Sequence, residues 1–419
     1  MFWSKGWSEF LIKLLHLQKQ NPFILLKRSN RGFGVTEKTL AQKIRNTFSD
    51  SSVQAIHEPK FDSSELEGVK ECIETGWVST AGKFVNSFEE KLAYYVKADN
   101  CVAVVNGTSA LHLALLAANV AAGDEVLLPS LTFVATANAA VYCGAVPHFV
   151  EVSEQTLCVD VKKLRNYLRE SFYLKEEGLV NKLSGARVTA LIVVHVLGFA
   201  PYMPELVALA KEFRLKLIED ASESLGTFVD QKHTGTFGDF GTFSFNGNKI
   251  ITCGGGGAVV TNDSGAAATI KHLSTTAKMP HSWEFYHDQV GYNYRMPNLN
   301  AALGCSQLDR LTHKLEQKKR LHKLYVEMFS DDEELHVFEA PSFCESNYWL
   351  NGVRLRGLDK SRVLENCAEL KIGARPFWIP LHTLPAFKNA PRMDMSATEA
   401  LYNSTVLLPS SPQLLKRES

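Results

Sequence analysis

Long apolar runs are missing from this 419-residue sequence; none reaches the roughly 18 residues a helix needs to cross a bilayer. Net charge is missing too. Basic and acidic side chains each total 45, which removes the global electrostatic case for a nucleic-acid or membrane partner. The eight cysteines are scattered, with no CxxC pair and no dense framework. Neither a metal site nor a disulfide scaffold is therefore expected, and free thiols suit a reducing, cytoplasmic setting. Internal repeats and low-complexity tracts are absent as well. Residues 1–28 mix aromatic and basic side chains without a continuous apolar core or a small-residue cleavage site, so no secretory leader is expected. Within them, residues 10–17 have a pattern that would also suit an amphipathic helix on a membrane surface. Residues 1–35 are expected to form an appendage, poorly ordered in the monomer.

What is present, from about residue 100, is alternation of short apolar strands with helices. Strands are predicted at 102–105, 125–128, 147–150, 190–195 and 216–219, with helices at 110–118, 133–143 and 203–213 between them. Strands that are nearly all apolar, spaced by helices, indicate a mainly parallel sheet covered on both faces. Before this region, helices are predicted at 36–48 and 63–75, the second ended by Gly76. Strands at 242–245 and 258–261 flank a lysine-containing loop as an antiparallel excursion. Residues 301–328 read as one long connecting helix, and alternation at 347–354 opens a smaller α+β unit that runs to 409. The expected organisation is an extension (1–35), a large α/β domain with its N-terminal segment (36–300), and a connector with a smaller domain (301–419).

Three segments could carry chemistry. The first is Ser244-Phe245-Asn246-Gly247-Asn248-Lys249, followed by Cys253 and four glycines, Gly254 to Gly257. A lysine held in a cleft favours its neutral amine, which forms a Schiff base with a carbonyl group; taken alone, it is more often a surface lysine. The second is Asn106-Gly107-Thr108-Ser109 at a strand-to-helix turn. Free N–H groups and the helix dipole favour an anion there, although Thr and Ser also cap many ordinary helices. The third is Glu219-Asp220-Ala221-Ser222-Glu223, after an apolar strand. A carboxylate at the end of a parallel strand sits where open α/β sheets bind ligands, and Asp220 suits the acidic partner of a protonated pyridine nitrogen, as in pyridoxal-phosphate enzymes. The bland reading is a helix cap. Together the three supply an anion site, a pyridinium partner and an imine-forming amine. The glycine run leads into a strand, not a helix, so it fails the context test for a dinucleotide fingerprint.

At this point the sequence resembles the DegT/DnrJ/EryC1/StrS family of sugar aminotransferases, and within it the LegC-like nucleotide-sugar branch. The matching stretches are 76–80, 106–111, 129–133, 194–195, 219–225, 244–257, 291–296 and 408–412, which span roughly residues 57–412. The resemblance implies a fold-type I architecture: a large, mainly parallel seven-stranded-type sheet domain and a smaller C-terminal α+β domain. It implies pyridoxal 5'-phosphate as cofactor. Lys249 would anchor it covalently and shuttle protons, and Asp220 would keep its ring nitrogen protonated. Thr108, Ser109 and Ser244 would bind the phosphate, and Phe133 would stack on the ring. Glu223, where the family often has Gln or His, would lie near the ring oxygen. Asn293 would reach the phosphate in the other subunit, making the site a property of a homodimer. Trp77, Ser79, His195, Arg375 and His382 are candidates for contact with substrate, with Trp378 beside them. Without the resemblance, Phe133 and His195 would read as core residues.

The activity implied is transfer of an amino group from glutamate to a UDP-linked 4-keto-6-deoxy-N-acetylhexosamine, for cell-surface glycans of the legionaminic acid or bacillosamine type. A 3-aminotransferase of the same family is the alternative. Dehydratase members carry His at the lysine position, which Lys249 argues against, and a non-enzymatic regulator would have no reason to keep Lys249, Asp220 and the phosphate residues together. The sequence departs from the family pattern in residues 1–35 and at the end, where Gln413 to Ser419 stand in place of a further helix.

Overall fold

Strand β2 (Glu125–Pro129) is buried along its whole length, and its residues alternate between two cores. Val126 and Leu128 join one hydrophobic cluster while Leu127 joins another, and Ile192 and Leu191 of the neighbouring strand divide the same way. A period of two with apolar residues on both faces is the pattern of a parallel strand covered on each side. Each large aliphatic side chain so buried contributes about 1.5–3 kcal/mol.

The computed structural model describes residues 35–48 and 53–415; residues 1–34, with the expected appendage and surface helix, lie outside them. The strands in chain order are β1 (Asn100–Val104), β2, β3 (Val146–Val150), β4 (Phe172–Lys175), β5 (Gly178–Asn181), β6 (Arg187–Val194), β7 (Lys216–Asp220), β8 (Phe228–Val229), β9 (Lys232–His233), β10 (Phe240–Ser244) and β11 (Gly257–Thr261). The central sheet runs β1-β11-β10-β7-β6-β2-β3, with the hairpin β4–β5 attached beside β6. From β3 through β10 the neighbours on this path are parallel. On this path β11 alone runs antiparallel, to both β1 and β10, and beside the path β5 pairs antiparallel with β6. The predicted excursion is therefore one reversed strand inside the sheet. This is fold-type I architecture.

Further on lie β12 (Leu335–Val337), β13 (Cys344–Glu345), β14 (Asn351–Leu355), β15 (Arg375–Pro376) and β16 (Thr405–Leu408). A second sheet, ordered β12-β14-β16-β15, is antiparallel throughout. The short strand β13 instead pairs with β8, fastening this part of the chain to the segment just beyond β7.

Local chemistry sets the helix ends. Helix Ser63–Thr75 begins at a capping box formed by Asp62 and Glu65 and ends at Gly76, whose φ of 75° is left-handed; glycine adopts that conformation without steric cost. The expected single connector is two helices, Asn298–Asp309 and Leu311–Met328, separated at Arg310 with φ −104° and ψ 3°. No proline or glycine marks that break. At the break the Arg310 guanidinium reaches Asp62 at 2.6 Å and Glu65 at 3.4 Å. Helix Lys83–Val96, which the sequence reading passed over, has no side-chain cap at its start. All eight cysteines are free thiols, and no described helix is long and apolar enough to cross a membrane.

Candidate active site

Strands β7 and β10 end side by side, and their parallel register sets Thr242 opposite Asp220. The chain leaving β7 and the chain leaving β10 thus enter one 380 Å³ cavity, lined among others by Asp220, Glu223, Ser244 and Lys249. Its third side is the turn after β1. There Asn106 caps helix Gly107–Ala117, its side chain accepting from the Ser109 N–H at 2.8 Å. Asn106, Gly107 and Thr108 line the cavity. Gly107 is required by close approach: a Cβ there would meet the Ser244 Cβ at 2.8 Å. Gly257, at the start of β11, is equally tight, since a Cβ would fall 2.4 Å from the Asn106 carbonyl. The glycine run after the lysine lets β11 press against the helix start.

Asp220 is 5 % exposed. Thr136 Oγ1 donates to its Oδ2 at 2.9 Å, and the Ser222 N–H donates to its Oδ1 at 3.2 Å. A buried carboxylate with two donors is fixed in direction and remains an acceptor for a cationic partner. Lys249 has its side chain 13 % exposed, and its Nζ donates to Glu223 Oε1 at 3.5 Å. The same Nζ lies 4.0 Å from the ring centre of Trp349, a cation–π distance. Trp349 is in turn held by its Nε1–H, which donates to the Asn248 carbonyl at 2.8 Å, one residue before the lysine. Glu223 is fully enclosed. Burial pushes its carboxyl above the usual range, against the opposing pull of the Lys249 ammonium and of the Leu197 N–H, which donates to Oε2 at 2.9 Å.

The arrangement brings together Thr108, Phe133, Asp220, Glu223, Ser244 and Lys249 on one cavity. Phe133 is 53 % exposed, a flat apolar surface in its wall, and is not a core residue. Trp378 lines the same cavity and stacks on Trp349 at 6.4 Å. Ser109 is buried and contributes its N–H to the cap. His195 is also buried; its Nε2 lies 2.9 Å from Glu219 Oε2, and its N–H donates to the Asp220 carbonyl at 3.1 Å. His382 is turned to Ser130 at 2.7 Å and Glu399 at 3.2 Å. Arg375 is exposed on β15. Trp77 and Ser79 stand apart, where their carbonyls accept from Asn298. Asn293 is exposed and bridged to Thr275. Two positions on, Arg295 is a buried cation paired with Glu89 at 2.6 Å.

A model of the DegT/DnrJ/EryC1/StrS aminotransferase family matches residues 59–419. The chain belongs to this family. GDP-perosamine synthase of Escherichia coli O157:H7 is 34% identical over 360 residues, which cover 86% of this chain and 93% of that one. A UDP-4-amino-4,6-dideoxy-N-acetyl-beta-L-altrosamine transaminase of Campylobacter jejuni is 30% identical over 78% of this chain and 84% of its own. Among solved structures, a DegT DnrJ EryC1 StrS aminotransferase from Brucella abortus superposes with a TM-score of 0.77 at 27% identity, covering 84% of this chain and 92% of that one.

Family members are pyridoxal-phosphate-dependent aminotransferases, and so is this protein. Its residues fit the cofactor: an amine and a fixed carboxylate share one cavity with an open helix start that a methyl group at Gly107 would crowd. Two contributors escaped the sequence reading. Thr136 sits three residues beyond the aromatic of the Pro129–Phe133 stretch, close enough to have been included by a helix wheel. Trp349 lies 100 positions from Lys249 and left no signal in spacing.

Proposed function

We propose that this enzyme transfers an amino group from glutamate to a UDP-linked 4-keto-6-deoxy-N-acetylhexosamine, giving a 4-amino sugar for a cell-surface glycan. The observation that carries the transfer chemistry is the meeting of the Lys249 amine, the Asp220 carboxylate and the Gly107 helix start on one cavity. A nucleotide-linked sugar is supported by the names of relatives, a GDP-perosamine synthase and a UDP-amino-sugar transaminase.

Bound pyridoxal phosphate supplies an electron sink that stabilises negative charge on the carbon losing or gaining the amine. Thr108, Ser244 and the N–H groups of the helix start would hold its phosphate. Phe133 would cover its ring. Asp220, fixed by Thr136 and Ser222, would pair with its ring nitrogen, and Lys249 would anchor it. Lys249 Nζ then takes and returns the proton at the reacting carbon, help worth about 10²–10⁴-fold. Glu223 Oε1, beside that Nζ, is placed to accept a proton from the ammonium and leave the amine free. Asn293, outside the cavity of its own chain, is assigned to the cofactor phosphate of a second copy, so that two chains share each site.

Incubation of the purified enzyme with glutamate and a panel of UDP-, GDP- and TDP-linked keto-sugars, followed by mass spectrometry, tests the reading. The UDP-linked N-acetyl sugar should gain one amine, and NMR of the product should place it at carbon 4. Conversion of a GDP-linked sugar alone would overturn the substrate assignment and leave the chemistry standing.

A further inference from the structure

Lys249 lines a second cavity as well, of 490 Å³, set apart from the helix start and Asp220. Its walls are residues 57–60, the chain around Arg310 and Lys314, and residues 412–415. Its charged side chains are nearly all basic. Besides Lys249 they include Lys60, Arg310, Lys314 and Arg320, against a single carboxylate, Glu58.

Two of its groups are buried without the partner their chemistry calls for. Lys314 is 8 % exposed and its Nζ donates to the neutral side-chain carbonyl of Gln307. An ammonium taken out of water ordinarily demands an anion. The carboxylates whose charge reaches it, Glu65 and Asp62, make their ion pairs with Arg310 instead. His57 is 6 % exposed, and neither of its ring nitrogens has a hydrogen-bond partner among the described residues. Buried polar groups are paired in about nine cases of ten. Burial, and then the charges of Lys318, Lys314 and Lys249, hold this imidazole well below its usual value. It is therefore neutral, with one N–H to give. Lys318, one helical turn beyond Lys314, is wholly buried and donates to the carbonyls of Trp349 and Ser410. Two buried amines thus lie one turn apart on one helix face, Lys314 at the wall of a cavity large enough for a polyatomic ion and Lys318 behind it, where burial holds it well below its usual value.

We propose that this cavity is an oxyanion site of the phosphate class, with Lys314 and His57 as its inner ligands and Arg310 at its wall. A bound oxyanion would receive the His57 N–H and neutralise Lys314. Because Lys249 borders both cavities, it would also place negative charge beside the reactive amine. The ligand can be free phosphate or the diphosphate of a nucleotide, which share the chemistry that these residues read. The inference requires the cofactor of the family and is independent of which sugar is aminated.

The test uses the holoenzyme, in which pyridoxal phosphate already fills the site at Gly107 and Ser244. Inorganic phosphate is titrated in phosphate-free buffer and followed by calorimetry and by ³¹P line broadening. Saturable binding is expected, weakened about tenfold or more in Lys314→Met and in His57→Phe, each loss being that of one hydrogen bond to a charged group. Lys211→Ala, a remote surface change, should leave it intact. Should Lys314→Met fail to fold, the His57 variant and His313→Gln, on the exposed wall, carry the comparison. Competition by UDP identifies a nucleotide diphosphate as the source, and its absence identifies free oxyanion. No saturable binding, or binding unchanged by the His57 and Lys314 variants, overturns the site.

Discussion

At the scale of single residues, the cavity is governed by how a few buried charges are held. Lys249 is fixed by Trp349 on one side and Glu223 on the other. If Lys249 is the covalent anchor proposed above, Lys249→Ala should purify without the visible absorbance of the cofactor–lysine adduct and show no transamination. A variant with an unchanged spectrum would refute the assignment of this lysine. Asp220 depends on Thr136. Thr136→Val keeps the shape but takes away a donor to a charged acceptor, worth about 1.5–3 kcal/mol. We expect kcat to fall about tenfold with KM nearly unchanged, because the loss touches the proposed ring-nitrogen partner and not the sugar. A change confined to KM would place Thr136 elsewhere in the mechanism.

At the scale of elements, the site is assembled where β7, β10 and the β1 turn end together, and that much was legible in the chain. Asp220, Lys249 and Thr108 each follow a short apolar strand, and parallel strands deliver their ends to one edge. Helix Ser63–Thr75 was legible to the residue because its capping box and Gly76 are local signals. The connector was not: its break falls at Arg310, whose ion pairs are with residues about 245 positions away, and neither proline nor glycine marks it within a window of periodicity. Trp349 escaped for the same reason, and the placement of Arg375, His382 and Trp77 outside the cavity is likewise a matter of long-range packing. Close approach between elements makes its own prediction. In Gly107→Ala the added methyl meets Ser244 Cβ at 2.8 Å and Ser222 Oγ at 3.3 Å, so the helix start must move away from β10. Overpacking of this kind costs about 1–3 kcal/mol. Fluorescence titration should show cofactor affinity falling about tenfold or more, and an affinity equal to that of the parent would show that the phosphate does not sit at this turn.

At the scale of the whole molecule, two features concern how charge and copies are distributed. Asn293 lies outside its own chain's cavity, so a loss of cofactor affinity in Asn293→Ala, by about tenfold, would arise through a second copy. Equal affinity in that variant, with self-association checked by sedimentation, would reject the shared site. The second feature is the buried basic face at Lys314. Burial, reinforced by Arg310, pushes Lys314 down to about 8 from an ordinary value of 10.5. Between these values the unfolded chain holds a proton that the native state has released, so the contribution of Lys314 to stability rises with pH across that window. Below pH 8 the native state carries a penalty on the order of 1–3 kcal/mol, partly offset by the bond to Gln307. Methionine carries no such penalty at any pH. The melting temperature of Lys314→Met relative to the parent, in phosphate-free buffer, should therefore be more favourable at pH 7 than at pH 9.5. A difference that stays constant, or grows with pH, would mean that Lys314 is not a buried cation in the native state. If the difference behaves as expected, and phosphate closes it at pH 7 by stabilising the parent alone, the penalty is the stability cost of an anion site beside the reactive lysine.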